Sequence, residues 1–162
     1  MKKAYLVYPG LGKTTFAKTN SEFIDVQVRV FKDLSLKEYI ETKKYPNYRG
    51  NPIKEINPDY PTNLIEYVKK EIKTEKIILM APKQDAYDLL EALRITEFCF
   101  VMPDKERLKE LEQDYLIRGD SLDYINRNIR KRYNLVIKVA KQMKKDIIFL
   151  KPGEYLADII DK

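Results

Sequence analysis

Ala4-Tyr5-Leu6-Val7-Tyr8-Pro9-Gly10-Leu11-Gly12-Lys13-Thr14-Thr15 follows directly on Met1-Lys2-Lys3. A short apolar run is closed by Pro9-Gly10, and the pattern after it predicts a helix from about Lys13 to Thr19. A strand, a Pro-Gly turn, Gly-Lys-Thr and a helix in that order form the setting that a phosphate-binding loop requires. Glycines let the backbone turn tightly, so that successive N–H groups and the start of the helix face phosphate oxygens. In such a loop Lys13 reaches the β/γ-phosphates and the Thr14 hydroxyl ligates magnesium. The full pattern is G-x-x-x-x-G-K-[ST]. Its tail is intact at Gly12-Lys13-Thr14, while Val7 stands at the first glycine position. Pro9, Gly10, Leu11, Gly12, Lys13, Thr14 and Thr15 are therefore the candidate phosphate-binding residues.

Outward from this stretch, apolar runs alternate with helical patterns, the signature of an α/β fold. Strands are expected at Phe23 to Val30, Lys76 to Met80, Phe98 to Met102 and Asp146 to Leu150, in addition to Ala4 to Tyr8. Ala86, Leu89, Leu90 and Leu93 share one face of a helix after the third strand, and Tyr155 to Ile160 reads as a terminal helix. Runs such as Ile77-Ile78-Leu79-Met80 do not alternate, as expected for a parallel sheet covered on both faces. Two regions fall outside this repeat. Residues 29–61 hold four of the eight prolines and read as an insertion of helix plus loop. Residues 104–145 read as a helical hairpin that ends its first helix at Arg118 through Gly119, with Ser121 placed to cap the second.

The 162 residues suit one domain, and 44% hydrophobic residues suffice for a core. The chain has no histidine and a single cysteine. A Ser-His-Asp or Cys-His nucleophile, a histidine-bearing zinc site and an intrachain disulfide are thereby excluded. Cys99, within Phe98-Cys99-Phe100-Val101, reads as a small buried hydrophobe. No apolar stretch approaches the length of a membrane span, so the expectation is a cytoplasmic protein with no membrane partner. Lys and Arg number 31 against 25 Asp and Glu, a net charge of +6, which suits an anionic partner. Between Arg118 and Lys145 there are nine Lys and Arg and two acids. The excess belongs to the hairpin, which favours a compact polyphosphate ligand over diffuse affinity for nucleic acid.

The loop from Tyr5 to Thr15, the acid closing Phe23-Ile24-Asp25, and Tyr115-Leu116-Ile117-Arg118-Gly119-Asp120 followed by Tyr124-Ile125 and Tyr133 together carry a resemblance. The chain resembles the P-loop nucleoside monophosphate kinases, which are adenylate kinase-like, and among them the small nucleotide kinases of the kind encoded by some bacteriophages. The likeness extends to Leu150-Lys151-Pro152-Gly153-Glu154-Tyr155-Leu156, similar to the family's final strand and turn, where the base commonly packs. It implies a three-layer P-loop NTPase fold over residues 1–162, with a five-stranded parallel sheet in the order 2-3-1-4-5 and the hairpin as a lid. It also implies ATP and Mg2+ at Gly10 to Thr14, with Thr14 on the metal. Lys13 would stabilise the transferred phosphoryl group and Arg118 would act from the lid. Arg127 and Arg130, three apart on the second lid helix, would approach the same phosphates. The sequence does not fix the oligomeric state, and the resemblance points to a homodimer, since dimers are frequent in the family.

Each assignment has a plainer competitor. Arg127, Arg130, Lys131 and Arg132 also read as a solvated helix face, and Arg118 is favoured at a helix C-terminus by the dipole alone. Asp25 could bind the acceptor, hold magnesium through water or close a strand. Tyr45, Tyr48 and Arg49 could stack on and pair with an acceptor nucleotide, or pack a loop. After the third strand stands Ala81-Pro82-Lys83, where many P-loop enzymes place an acid. ATP-dependent transfer to a nucleoside monophosphate, especially a deoxynucleotide, is the leading expectation. A polynucleotide or other small-substrate kinase, and a degenerate nucleotide- or partner-binding module, are the alternatives.

Overall fold

The structure, a computed structural model, describes residues 2–44, 46 and 51–160. Five strands form one all-parallel sheet: β1 (Ala4–Val7), β2 (Phe23–Asp25), β3 (Ile77–Met80), β4 (Phe98–Pro103) and β5 (Ile147–Leu150), in the order β2-β3-β1-β4-β5. β1 lies in the middle, with Ala4 beside Ile78 on one side and Phe98 on the other. Leu6, Val7, Ile78, Leu79, Met80, Phe100, Val101 and Met102 are buried completely. Full burial of such side chains stabilises the fold by roughly 1.5–3 kcal/mol each, which explains why the central runs are apolar without alternation. Cys99 is buried and unpaired, as its neighbours suggested. Helices α1 (Lys13–Thr19), α2 (Val28–Lys32), α3 (Tyr39–Thr42), α4 (Thr62–Lys73) and α5 (Gln84–Ala92) occupy the first connections. The arrangement fits a three-layer α/β fold. Among the described residues, no helix is long and apolar enough to cross a membrane.

The second strand is shorter than its sequence pattern suggests. The alternation Val26, Val28, Val30 mimics a strand, yet β2 ends at Asp25 and α2 begins at Val28. β2 is an edge strand, and its last ladder bond is from the Val26 N–H to the Leu79 carbonyl, at 2.9 Å. Beyond it, Val30 and Phe31 are both buried. Consecutive residues of a strand face opposite ways, whereas a helix brings neighbours within one apolar arc. Arg29 and Asp33 pair at 3.2 Å across one helical turn and support that choice.

The hairpin is formed by α6 (Lys105–Ile117) and by a second helical stretch made of α7 (Leu122–Ile125), a π turn (Asn126–Arg130) and α8 (Lys131–Gln142). Asp104 caps α6 by accepting from the Arg107 N–H at 2.7 Å. Arg118 is the C-cap of that helix and Gly119 follows with φ +90°, the left-handed conformation that ends helices. Ser121 caps the next helix by accepting from the Tyr124 N–H at 3.1 Å. Ile125, Ile129, Tyr133, Val136 and Ala140 bury the inner face of the second stretch. The final helix, α9 (Ala157–Ile160), begins two residues later than the pattern suggested.

Candidate functional site

Because the strands are parallel, the segments after β1, β2 and β3 emerge at one edge of the sheet. The chain also changes side here, since β1 has β3 on one flank and β4 on the other, and such switch points are where open α/β sheets bind ligands. The segment after β1 is Tyr8 to Gly12. Gly10 and Gly12 have φ +87° and +88°, values that side chains rarely adopt. A Cβ on Gly10 would also lie 3.1 Å from Leu111 Cδ2 in α6. Leu11 is buried, and its carbonyl accepts from the Leu156 N–H at 3.3 Å. The first bond of α1 runs from the Phe16 N–H to the Gly12 carbonyl. Among the described residues, nothing accepts from the N–H groups of Gly10, Leu11, Gly12, Lys13, Thr14 or Thr15. Consecutive unused donors in a turn with left-handed residues form a concavity suited to an anion.

Pro9, Lys13 and Thr14 line a cleft of about 820 Å3 at this edge. Its other walls are Asp25 to Arg29 after β2, Asn51 and Pro52, Ala81 and Lys83 after β3, Tyr115 from α6, and Ser121, Tyr124, Arg127, Asn128, Ile129 and Arg132 from the second hairpin stretch. Five cations and one acid stand in this lining among the described residues: Lys13, Arg29, Lys83, Arg127 and Arg132 against Asp25. Burial pushes the Lys13 ammonium below its ordinary pKa of 10.5; Asp25 opposes that shift and Arg132 adds to it. Burial likewise pushes Lys83 down, with Arg132, Lys13 and Arg29 adding to the shift and Asp85 opposing it. Arg29 is paired with Asp33 at 3.2 Å, while Lys13, Lys83, Arg127 and Arg132 face a single carboxylate in the described lining, Asp25, a concentration of positive charge that an anionic ligand relieves.

Asp25 ends β2 at the mouth of this loop. Its Oδ2 accepts from the Thr14 hydroxyl at 2.5 Å and from the Gln27 amide at 3.2 Å. Its Oδ1 is buried and has no hydrogen-bond partner. Thr14 and Asp25 are both oxygen donors of the kind that magnesium takes, and among the described residues no group of three or more acids or thiols stands ready to hold a metal by itself.

The arginines of the hairpin divide. Arg127 lines the cleft. Arg130 does not; its guanidinium forms two bonds with Glu112 of α6, at 2.9 and 3.0 Å, and a third with Asn126 at 2.9 Å. The π turn is the reason. The Lys131 N–H reaches back five residues to the Asn126 carbonyl, and this wider turn brings residues five apart, rather than three or four apart, onto a common face. Arg132, five residues after Arg127, therefore joins the cleft. Arg118 is exposed at the end of α6, with its guanidinium 5.6 Å from the Tyr115 ring centre and outside the cleft lining. Thr15 is an exposed residue of the first turn of α1. Tyr45, Tyr48 and Arg49 lie outside the described residues.

Beside the loop, the Arg107 guanidinium lies 4.9 Å from the Tyr155 ring centre, donates to the Glu154 carbonyl at 3.2 Å and pairs with Glu110 at 2.9 Å. Tyr155 is half exposed, and its Cδ1 lies 3.6 Å from where a Cβ on Gly12 would stand. A planar cation and an exposed ring thus flank the loop. No family model and no curated protein matches the chain. What the cleft can do follows from its own geometry. Arg29, Lys83 and Arg132 were not singled out as site residues by sequence reasoning. Lys83 carried a readable signal, a cation directly after the Pro that stops a central strand. Arg132 carried none, because its position depends on the π turn.

Proposed function

We propose that the chain is a phosphotransferase that moves the γ-phosphoryl group of ATP onto a nucleoside monophosphate. One observation carries this reading: the loop from Gly10 to Thr15, whose N–H groups have no acceptor among the described residues, adjoins through Pro9, Lys13 and Thr14 a cleft whose described lining holds five cations and one acid. A single phosphate chain would use the loop, Lys13, Arg127 and Arg132. Arg29 and Lys83 approach from the segments after β2 and β3, so a second anionic group, the acceptor phosphate, would lie between them and the loop. These two residues supply the acceptor-side cations that are absent as arginines between Arg49 and Arg94. A phosphate acceptor is already ionised at neutral pH, so the chain needs no histidine to activate it. Phosphoryl transfer depends on alignment and on cations that stabilise equatorial oxygens. Lys13 and Arg132 would stabilise the charge on the transferred group, and Arg127 would add charge from the exposed rim. The base of the donor would pack beside Tyr155 and Arg107. Magnesium, when bound through Thr14, would neutralise charge on the β- and γ-oxygens.

The test is turnover by purified protein with magnesium-ATP over a panel of nucleoside monophosphates, deoxynucleotides included, with Lys13→Ala as the control. Conversion of at least one acceptor, lost in the Lys13 variant, supports the reading. Absence of conversion with every acceptor, and a Lys13 variant that behaves like the parent, would overturn it.

A further inference from the structure

We infer that Asp25, at the end of β2, is the carboxylate that holds the divalent cation together with Thr14, taking the part that an acid after β3 would otherwise play. The inference rests on the nucleotide-phosphate reading of the loop and deepens it. Three observations carry it. The residues after β3 that line the cleft are Ala81 and Lys83, so in the described lining that strand's connection supplies no carboxylate. The Thr14 hydroxyl already donates to Asp25 Oδ2 at 2.5 Å, which leaves the lone pairs of the hydroxyl oxygen directed elsewhere. Asp25 Oδ1 is buried without a partner in a wall of the cleft.

A buried carboxylate oxygen without a donor is costly, and it marks a place where something positive or protic belongs. Two occupants are chemically distinct. A hydroxyl acceptor would use Asp25 as a base, and a cation would use it as a ligand, directly or through a bound water. The geometry favours the cation. The hydroxyl of Thr14 is locked by its bond to Oδ2 with its oxygen open, so one hydroxyl oxygen and one carboxylate oxygen stand side by side as hard donors. Magnesium is bound in just such sites, by one or two protein oxygens with phosphate oxygens and water completing the shell. The surrounding Lys13 and Arg132 would repel a lone cation, so metal and nucleotide would bind as a unit. Gln27 donates to Oδ2 at 3.2 Å and fixes the plane of the carboxylate from the second strand's own connection.

The charges predict opposite effects in the presence and absence of metal. Without metal, the carboxylate repels a phosphate chain held beside it, so Asp25→Asn should bind a non-hydrolysable ATP analogue in EDTA at least as tightly as the parent. With the analogue bound and protein in excess, manganese titrated by electron paramagnetic resonance should bind about 10- to 100-fold more weakly to Asp25→Asn than to the parent. Thr14→Val removes the hydroxyl without changing charge and should weaken manganese binding in the same range; it also carries the test should Asp25→Asn fail to fold. Unchanged manganese affinity in a folded variant that binds the analogue overturns the inference and leaves the loop reading intact. If the parent itself binds no analogue in EDTA or with metal, the loop reading fails and the inference falls with it. Lost turnover in Asp25→Asn with full manganese affinity would instead identify Asp25 as a base and overturn its assignment to the metal.

Discussion

The phenol of Tyr8, at the end of β1, donates a 2.6 Å hydrogen bond to the carbonyl oxygen of Ile129, 121 residues further along the chain. Tyr8 is completely buried, and burial pushes its hydroxyl pKa well above the ordinary 10. Its ring also meets Tyr133 edge to face at 6.0 Å, and the Tyr133 hydroxyl donates to the Pro103 carbonyl at 3.0 Å. The second hairpin stretch is therefore fastened to the ends of β1 and β4. Ile129 lies between the hairpin's two cleft-lining arginines, Arg127 and Arg132, so the residue that opens the loop also places these cations opposite it.

Tyr8→Phe removes one hydroxyl and leaves the Ile129 carbonyl buried without that donor. A buried acceptor left unsatisfied costs about 1–3 kcal/mol. The variant should unfold at lower urea with an unchanged slope, since the surface exposed on unfolding is the same. Its affinity for tripolyphosphate should fall as well, because the π turn loses the bond that sets its position. A lower unfolding midpoint with unaltered tripolyphosphate affinity would detach Tyr8 from the site.

Arg130 and Arg132 separate a hairpin staple from a site residue. Arg130 is held by Glu112 on the exposed outer face of the hairpin, and that pair raises its pKa further. Exposed ion pairs contribute little, so Arg130→Met should leave turnover within a few-fold of the parent. Arg132→Met removes a cation from the phosphate side of the cleft and should lower kcat by about 100-fold or more. Steady-state kinetics on the two variants, at saturating ATP and acceptor, decide the matter. Equal losses, or a larger loss at position 130, would show that the hairpin works in another arrangement.

How far the sequence discloses this site depends on whether the interaction is local. The β1 strand, its glycine turn and α1 are legible because Pro9, Gly10, Gly12 and the apolar run act within a dozen residues. The hairpin turn is legible for the same reason, through Gly119 and Ser121. The strand order follows from the resemblance rather than from any local pattern. Tertiary pairings escape: Thr14 with Asp25, Arg130 with Glu112 and Tyr8 with Ile129 join elements that no spacing relates. The end of β2 is misread because a period of two in Val26, Val28 and Val30 is satisfied equally by a short helix that buries Val30 and Phe31 together. The π turn is the largest omission. It moves Arg130 out of the cleft and Arg132 into it, and no residue in Asn126-Arg127-Asn128-Ile129-Arg130 announces a bond spanning five residues.

Gly10 and Gly119 offer matched substitutions. Both have left-handed φ, +87° and +90°, where a side chain costs roughly 1–2 kcal/mol. A Cβ at Gly119 meets nothing within 4 Å, whereas one at Gly10 presses on Leu111 and on the Tyr115 hydroxyl. Gly119→Ala should lose stability by the backbone cost alone and bind nucleotide as the parent does. Gly10→Ala should lose more, and it should also weaken nucleotide binding by redirecting the N–H groups of the loop. Calorimetric titration alongside urea denaturation reads both quantities, and equal nucleotide affinity in the two variants would count against the loop as the anion site.

The stability of the ligand-free protein should rise with pH above neutrality and then fall. Lys13 and Lys83 have folded pKa values below 10.5, so the unfolded chain holds more protons than the folded one over the interval up to that value. Stability then increases as pH climbs through the interval, because the cost of keeping these ammonium groups charged in the cleft is relieved. The opposite sign applies to groups whose acid form is buried. Burial lifts the Cys99 thiol from 9.0 to about 11, and burial lifts the Tyr87 phenol from 10.0 to about 12. The unfolded chain loses those protons first, so stability falls as pH rises beyond about 9. Lys13→Met removes one cleft ammonium and should be more stable than the parent at pH 7, with the difference shrinking as pH approaches the lysine range. Cys99→Ala should delay the alkaline decline. Urea denaturation at half-unit steps from pH 6.5 to about pH 10.5 measures each curve. Parallel profiles for the parent and Lys13→Met would mean that Lys13 does not titrate abnormally and that the cleft does not concentrate charge around it.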